Sequence, residues 1–383
     1  MNTRTKHIRN APIIDLHSNV HIPDNVISFG QGIPFFPPPQ QALEAMTTSL
    51  SDPVGFQYST DNGRPLLRDI IAEKIKKEQK ITVNPTEEIM VTSGANQAFM
   101  NTILSITEPG DEIVFFTPTY FNYIMAAELA SCKPILINTN QWYKPLISML
   151  KEKITSKTKA IVTVSPNNPT GAVYSFEEMK AINQLCEDHS LYHISDEVYE
   201  YFVYDQANHT SALRFDESIS HTICLFSLSK AFSLSGFRIG YMIYPGFLQS
   251  DLLKAQDTIG ICAPTPAQAA ALAAIPLGDS YCKQFFETLR KNRELTKEVL
   301  TQIPEIRIIL TKGAYYFFVT VESSLSSFDL VKKIIEEYGV IVLPGSMFDY
   351  SNCSFRLSYG NLEHKAFSDG LQRLSKGLTE ILK

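Results

Sequence analysis

Residues 227–240 read SLSKAFSLSGFRIG, a run in which Lys230 stands among small, apolar and hydroxyl side chains with no acid nearby. A second cation, Arg238, closes the stretch. A lysine in apolar company is costly to keep charged, so its pKa falls and its amine becomes nucleophilic. The ordinary alternative is a lysine whose stem lies along apolar surface while its ammonium reaches water. By itself the stretch leaves both readings open.

Working outward, the chain shows a regular texture. From about residue 64, short apolar runs rich in β-formers alternate with segments of period 3.6. The expected strands are Ile89–Thr92, Glu112–Phe116, Pro134–Ile137, Ala160–Val164, Tyr192–Ser195, Thr222–Phe226 and Arg238–Ile243. Helical patterning lies between them, as in Gln97–Ile106 and Glu177–His189. Nearly continuous apolar strands separated by helices predict an α/β fold whose mostly parallel sheet is covered on both faces. Ligand chemistry in such sheets gathers at the carboxyl ends of the strands.

The residues just past those ends carry chemistry. After IMVTS come Gly94, Ala95 and Asn96, opening a helix whose free N–H groups suit a phosphate. After AIVTVS comes PNNPTG, turn-forming, with the Asn168 amide as a possible donor to a ligand oxygen. After YHIS comes DEVY, where Asp196 either caps the next helix or holds a proton on a heterocyclic nitrogen, with Tyr199 aimed at a neighbouring oxygen. After CLFS comes Lys230. Each has an ordinary structural explanation, but one cofactor explains all four in this order: pyridoxal 5′-phosphate, which needs a lysine for its aldehyde, a carboxylate for its ring nitrogen and a cup for its phosphate.

Past about Asp279 the texture changes. A long charged helix is expected over Asp279–Gln302, then strands at Ile306–Leu310, Tyr315–Val321, Val340–Leu343 and Ser354–Ser358, with a helix near Phe328–Tyr338. This reads as a smaller α+β domain. GQGIPFFPPP, residues 30–39, is too proline-rich for regular helix or central strand. The expected division is a large domain over residues 46–278 and a small one from 1–45 with 279–383.

Composition sets outer limits. The 383 residues are 44% hydrophobic and 19% charged, enough for a sizeable core. A net charge of −6 argues against nucleic acid or an anionic membrane as the main partner. No apolar run reaches transmembrane length. The six cysteines are scattered without a C-x-x-C pair, as expected for reduced thiols of a cytoplasmic protein. MNTRTKHIRN reads as a short basic surface arm, and no signal-peptide core is visible.

NNPTG, DEVY and SLSKAFSLSGFRIG together resemble the class I/II aminotransferases of fold-type I, and the likeness runs from GQGIPFFPPP to SFRLSYG. The resemblance implies a seven-stranded, mostly parallel sheet between helices, a Schiff base on Lys230 and a homodimer. It places Asp196 at the ring nitrogen, Tyr199 and Asn168 at the ring's phenolic oxygen, and Tyr120 on the ring face. By the same resemblance Ala95, Asn96, Ser227, Ser229 and Arg238 would hold the phosphate, joined by Tyr58 from a neighbouring subunit. The resemblance also implies that Arg356 clamps the substrate α-carboxylate, with Gly32 beside it. A planar guanidinium suits that task because it makes two parallel bonds to a carboxylate.

The implied reaction is ping-pong transfer of an amino group between an amino acid and a 2-oxo acid. GQGIPFFPPP is similar to the pattern of kynurenine, glutamine and aromatic-type members, except that Phe35 stands where they carry an acid. Ile33, Phe35 and Tyr123 are expected to wall an apolar substrate site, favouring an aromatic or broadly neutral donor, with an aspartate type next. The same apparatus supports carbon–sulfur β-lyase chemistry. A non-catalytic ligand-binding module is disfavoured by the intact Lys230, Asp196 and Arg356.

Overall fold

The computed structural model describes residues 4–383; Met1–Thr3, the start of the basic arm, lie outside it. The described part of that arm is tied down by an ion pair from Arg9 to Asp349 at 2.7 Å. In chain order the strands are β1 (Ile27–Ser28), β2 (Ile89–Thr92), β3 (Glu112–Thr117), β4 (Lys133–Asn138), β5 (Thr158–Val164), β6 (Tyr192–Asp196), β7 (Thr222–Ser227) and β8 (Gly240–Ile243). They are followed by β9 (Ile306–Arg307), β10 (Tyr316–Val321), β11 (Val340–Ile341), β12 (Leu343–Pro344) and β13 (Ser354–Ser358).

Strands β2 to β8 form one seven-stranded sheet in the order β2-β8-β7-β6-β5-β3-β4. Neighbours from β4 to β7 are parallel, and β8 is antiparallel to both β7 and β2. The odd direction of β8 follows from its connection, because the chain returns from β7 through two short helical turns, Leu228–Ala231 and Ser235–Phe237, rather than a helix packed across the sheet. β2 therefore runs the same way as β7. The carboxyl ends of β2, β5, β6 and β7 all meet at one edge.

Alternation along each strand builds a core on both faces. Ile113 and Phe115 of β3 pack with Phe99, Tyr123 and Ile124 on one side. Val114 and Phe116 pack with Leu150, Ile182 and Leu185 on the other. Full burial of such side chains contributes roughly 1.5–3 kcal/mol each. The edge strand β4 is partly exposed, as its mixed sequence KPILIN predicts.

A second, four-stranded antiparallel sheet has the order β12-β13-β10-β9, and β1 pairs in parallel with β11. Several expected bounds shift here, each for a packing reason. Asp279–Gln302 is two helices, Asp279–Lys283 and Phe286–Leu300, because the chain turns at Phe285 to stack that ring on Phe36 at 4.3 Å. Val340–Leu343 is split between two partners, β11 on β1 and β12 on β13. Only Ile306–Arg307 of Ile306–Leu310 pairs as strand. Arg238 precedes β8 rather than opening it, with a left-handed φ of 54°.

Among the described residues no helix is long and apolar enough to cross a membrane. The six cysteines are unpaired, five of them buried.

Candidate active site

At the shared edge of the seven-stranded sheet lies a cavity of about 350 Å³. Its wall includes Ala95, Asn96, Tyr120, Asn168, Asp196 and Tyr199, and also Ser227, Ser229, Lys230 and Arg238. The second sheet and the proline-rich segment close it with Gly32 and Arg356. Of the residues singled out in the sequence, Phe35, Gly94 and Tyr58 are not in the wall.

Lys230 sits in the four-residue helix Leu228–Ala231, whose start is capped by the Ser227 hydroxyl accepting from the Ser229 N–H at 3.1 Å. Its Nζ donates to the Gly32 carbonyl oxygen at 2.6 Å. No carboxylate among the described residues pairs with it. Burial lowers its pKa to about 8; Arg356 and Arg238 add to the fall, and Asp196 opposes it. The amine is thus within reach of its neutral, nucleophilic form near neutrality.

Asp196 ends β6 and is buried, which raises its pKa to about 6 against the pull of its hydrogen bonds. Its Oδ2 accepts from the Tyr123 hydroxyl at 2.7 Å and its Oδ1 from the Val198 N–H at 3.1 Å. The bond to Val198 is the ordinary turn cap, and the carboxylate still faces the cavity. Next to it Glu197 points the other way, into a buried set with Ser195, Ser211 and His209. Adjacent acids at the end of a strand point to opposite sides, so one serves the site and the other the core.

A phosphate-sized anion has a ready-made place. Gly94, at φ 87°, starts the helix Ala95–Ile106 with no side-chain cap and no acid in its first turn. A Cβ at position 94 would come within 2.8 Å of Arg238 Nη2, so glycine lets the guanidinium lie against the helix start. Arg238 donates to the carbonyls of Ser93 at 3.1 Å and Ser235 at 3.0 Å. Its left-handed backbone turns it back toward Gly94 instead of along β8. Helix N–H groups, a guanidinium and the Ser227 hydroxyl proton converge there.

Asn167 builds the PNNPTG turn: its Oδ1 accepts from the Thr170 N–H at 3.1 Å and hydroxyl at 2.8 Å. That frees Asn168 to face the cavity, where its Oδ1 accepts from Arg356 Nη1 at 2.8 Å. Arg356 Nη2 donates to the Gly30 carbonyl, and the buried Nε has no partner among the described residues. A buried guanidinium with a free N–H edge suits an incoming carboxylate.

The tyrosines divide the remaining work. Tyr199 is 2.5 Å, hydroxyl to hydroxyl, from Tyr316. Burial raises the pKa of Tyr199 well above the usual value, so it stays a neutral donor. Tyr120 flanks the cavity, its hydroxyl accepting from Asn122 at 2.8 Å. Tyr58 is 78% exposed, outside the cavity of its own chain. One of the expected wall residues needs correction. Phe35 packs on Phe36 and Phe285 outside the cavity, drawn there by aromatic contact, whereas Tyr123 does line it, with its hydroxyl committed to Asp196. Ile33 does line the cavity, with Phe121, Val198 and Leu343 as further apolar wall. Tyr316 and Leu343 went unnoticed in the sequence because the strands that carry them show only ordinary apolar patterning.

The cavity fits pyridoxal phosphate on its own chemistry: an unpaired amine, a buried carboxylate and an anion cup lie around one space. The family described as aminotransferase class I and II matches residues 24–374. An aromatic aminotransferase of Arabidopsis thaliana is 32% identical over 371 residues, covering 94% of this chain and 91% of that protein. An aspartate aminotransferase of Pyrococcus abyssi is 33% identical over 367 residues, covering 93% and 92%. The solved structure of Pyrococcus protein-A1 superposes with a TM-score of 0.93 at 31% identity, over 99% of this chain and 98% of that one. Both named relatives are aminotransferases, which favours amino transfer over the lyase alternative. Sequence and fold agree that this chain belongs to the class I and II aminotransferases, enzymes that use pyridoxal 5′-phosphate to pass an amino group between an amino acid and a 2-oxo acid.

Proposed function

We propose that this enzyme takes an aromatic or broadly neutral amino acid as donor. The observation that carries the reading is the charge on the cavity wall. Its cations are Lys230, Arg238 and Arg356, and the site's chemistry uses all three. No further cation in the wall is left for a second substrate carboxylate, whereas Ile33, Phe121 and Leu343 offer apolar surface. An ionised side chain would lose water there without gaining a partner.

Pyridoxal phosphate, when bound, supplies an aldehyde that condenses with amines and a ring that takes up the electron pair left as the Cα–H bond breaks. The chain supplies the rest. Lys230 would hold the cofactor through its amine, and once freed its Nζ would serve as the base and acid that moves the substrate's Cα proton. Asp196, ionised, would keep a proton on the ring nitrogen. Tyr199 and the Asn168 amide would donate to the ring's phenolic oxygen, and Tyr120 would cover the ring face. Gly94, Ala95, Asn96, Ser227, Ser229 and Arg238 form the phosphate cup. Arg356 binds the α-carboxylate with its free edge, near the Gly32 backbone, and so orients the Cα–H bond toward Nζ. Correct orientation is itself a large part of the rate.

The same reading makes residues 46–278 the cofactor-binding domain and 1–45 with 279–383 the small domain. The seven-stranded sheet falling wholly within 89–243 supports that division. It also makes the enzyme a homodimer in which Tyr58 serves the partner's phosphate, supported by the exposed Leu50, Val54, Phe56 and Leu66 in the same stretch of chain. A fully active monomer in sedimentation would overturn the dimer. Five buried, unpaired cysteines support a cytoplasmic location, which detection of the protein in an oxidising compartment would refute.

The test is a panel of amino donors read as half-reactions at the cofactor's absorbance. Phenylalanine, tyrosine or neutral aliphatic donors should exceed aspartate and glutamate in kcat/KM by at least about tenfold. Aspartate as the best donor would overturn the substrate reading.

A further inference from the structure

Tyr316 opens β10, and the pairing of Phe318 with Arg356 makes Tyr316 a diagonal neighbour of Arg356 on the same sheet face. Its ring lies beneath the Arg356 guanidinium at 4.5 Å, with Phe348 at 5.2 Å. Its hydroxyl meets the Tyr199 hydroxyl at 2.5 Å. The oxygen also crowds position 32, where a Cβ would sit only 2.0 Å from it. The neighbouring Tyr315 donates to the Gly32 carbonyl at 3.0 Å, the same oxygen that accepts from Lys230. One strand start thus touches the carboxylate clamp, the phenol beside the ring and the loop that holds the lysine amine.

We propose that Tyr316 is a positioning residue for amino transfer: its ring holds Arg356 flat, and its hydroxyl aims the Tyr199 proton toward the cofactor. The inference rests on the assignment of Arg356 to the substrate carboxylate. A guanidinium on an aromatic face keeps its plane fixed and its edge donors free. Two neutral phenols this close share one proton between them. When Tyr316 donates, the Tyr199 proton is left for a third oxygen. Ring and hydroxyl therefore do separable work, and two substitutions separate them.

Tyr316→Phe keeps the ring and removes the hydroxyl. In the holoenzyme it should bind 3-phenylpropanoate, a carboxylate with no amine to react, within about twofold of wild type by calorimetry. Its kcat with an aromatic donor should fall about tenfold with KM unchanged, the loss expected for one hydrogen bond. Tyr316→Leu removes both and should weaken 3-phenylpropanoate binding about tenfold while raising donor KM. If the leucine variant fails to fold, the kcat-against-KM split of Tyr316→Phe decides alone. A purely structural role would not divide the two constants in this way.

Wild-type kcat and KM in Tyr316→Phe, or wild-type binding of the probe by folded Tyr316→Leu, overturns the inference. Arg356→Lys separates the two levels. If it loses the probe while Tyr316→Leu keeps it, the inference alone falls. If it binds the probe as wild type does, the clamp assignment is wrong and the inference falls with it.

Discussion

Replacing Tyr123 with Phe removes one oxygen and, with it, the 2.7 Å bond to Asp196 Oδ2. The ring is retained, still stacked on Phe99 at 4.1 Å and edge-on to Tyr120 at 5.2 Å, so packing should survive. Burial raises the Asp196 carboxyl to about 6, and the Tyr123 and Val198 bonds keep it from going higher. A hydrogen bond to an ionised group contributes about 1.5–3 kcal/mol. At about 1.36 kcal/mol per unit, its loss should raise the Asp196 pKa by roughly one to two units, to about 7–8. The ionised carboxylate is the form that pairs with a protonated ring nitrogen. Cofactor affinity is therefore full above the Asp196 pKa and is lost as pH falls through it. The assay is the pyridoxal phosphate dissociation constant of apoprotein, measured between about pH 5 and 9 for wild type and variant. Titrations of Lys230 and of the cofactor are common to both proteins, so the shift of the acid limb isolates Asp196. The wild-type limb should centre near about 6 and the variant's near about 7–8, a several-fold loss of affinity at neutrality. Superimposable acid limbs would refute the argument that the Tyr123 hydroxyl sustains the charge on Asp196.

Two further substitutions test other parts of the site. Lys230→Ala should leave no covalent adduct by mass spectrometry after incubation with pyridoxal phosphate and borohydride reduction, where wild type retains one. Its donor half-reaction should slow by about 10²–10⁴-fold, the usual value of a positioned proton carrier; an adduct on the variant would assign the aldehyde to another amine. Gly32→Ala should destabilise the protein by about 1–3 kcal/mol in thermal unfolding, because its Cβ must displace Tyr316 Oη. Adding Tyr316→Phe should restore most of that stability, since the nearest atom is then the ring carbon at 3.1 Å. Equal unfolding temperatures for the single and double variants would show that the crowding lies elsewhere.

Much of the site was legible because its parts are local. Lys230, Asp196, Asn168 and the Gly94–Asn96 turn each follow a short apolar strand, and strand, turn and helix start are all written within a few residues. The limits of that reading are instructive. Arg238 looked like the first residue of a strand, but its left-handed backbone turns it toward the anion cup. Phe35 looked like substrate wall, but Phe285 draws it away. Tyr123 does line the cavity, but its hydroxyl is turned to Asp196. In each case the residue type was suggestive, and its direction was set by a partner distant in the chain.

From the sequence alone came the α/β alternation, the sheet edge where chemistry collects and the identity of a lysine kept free of acid partners. Those depend on periodicity and on neighbours within a turn, which a linear string contains in full. Tertiary structure alone decided that Arg356 would meet Asn168, 188 positions away, and the Gly30 carbonyl, 326 away. It alone set Tyr316 against Tyr199 across 117 positions. Such contacts arise from how finished elements pack and which way their side chains then face, and no local pattern encodes that geometry.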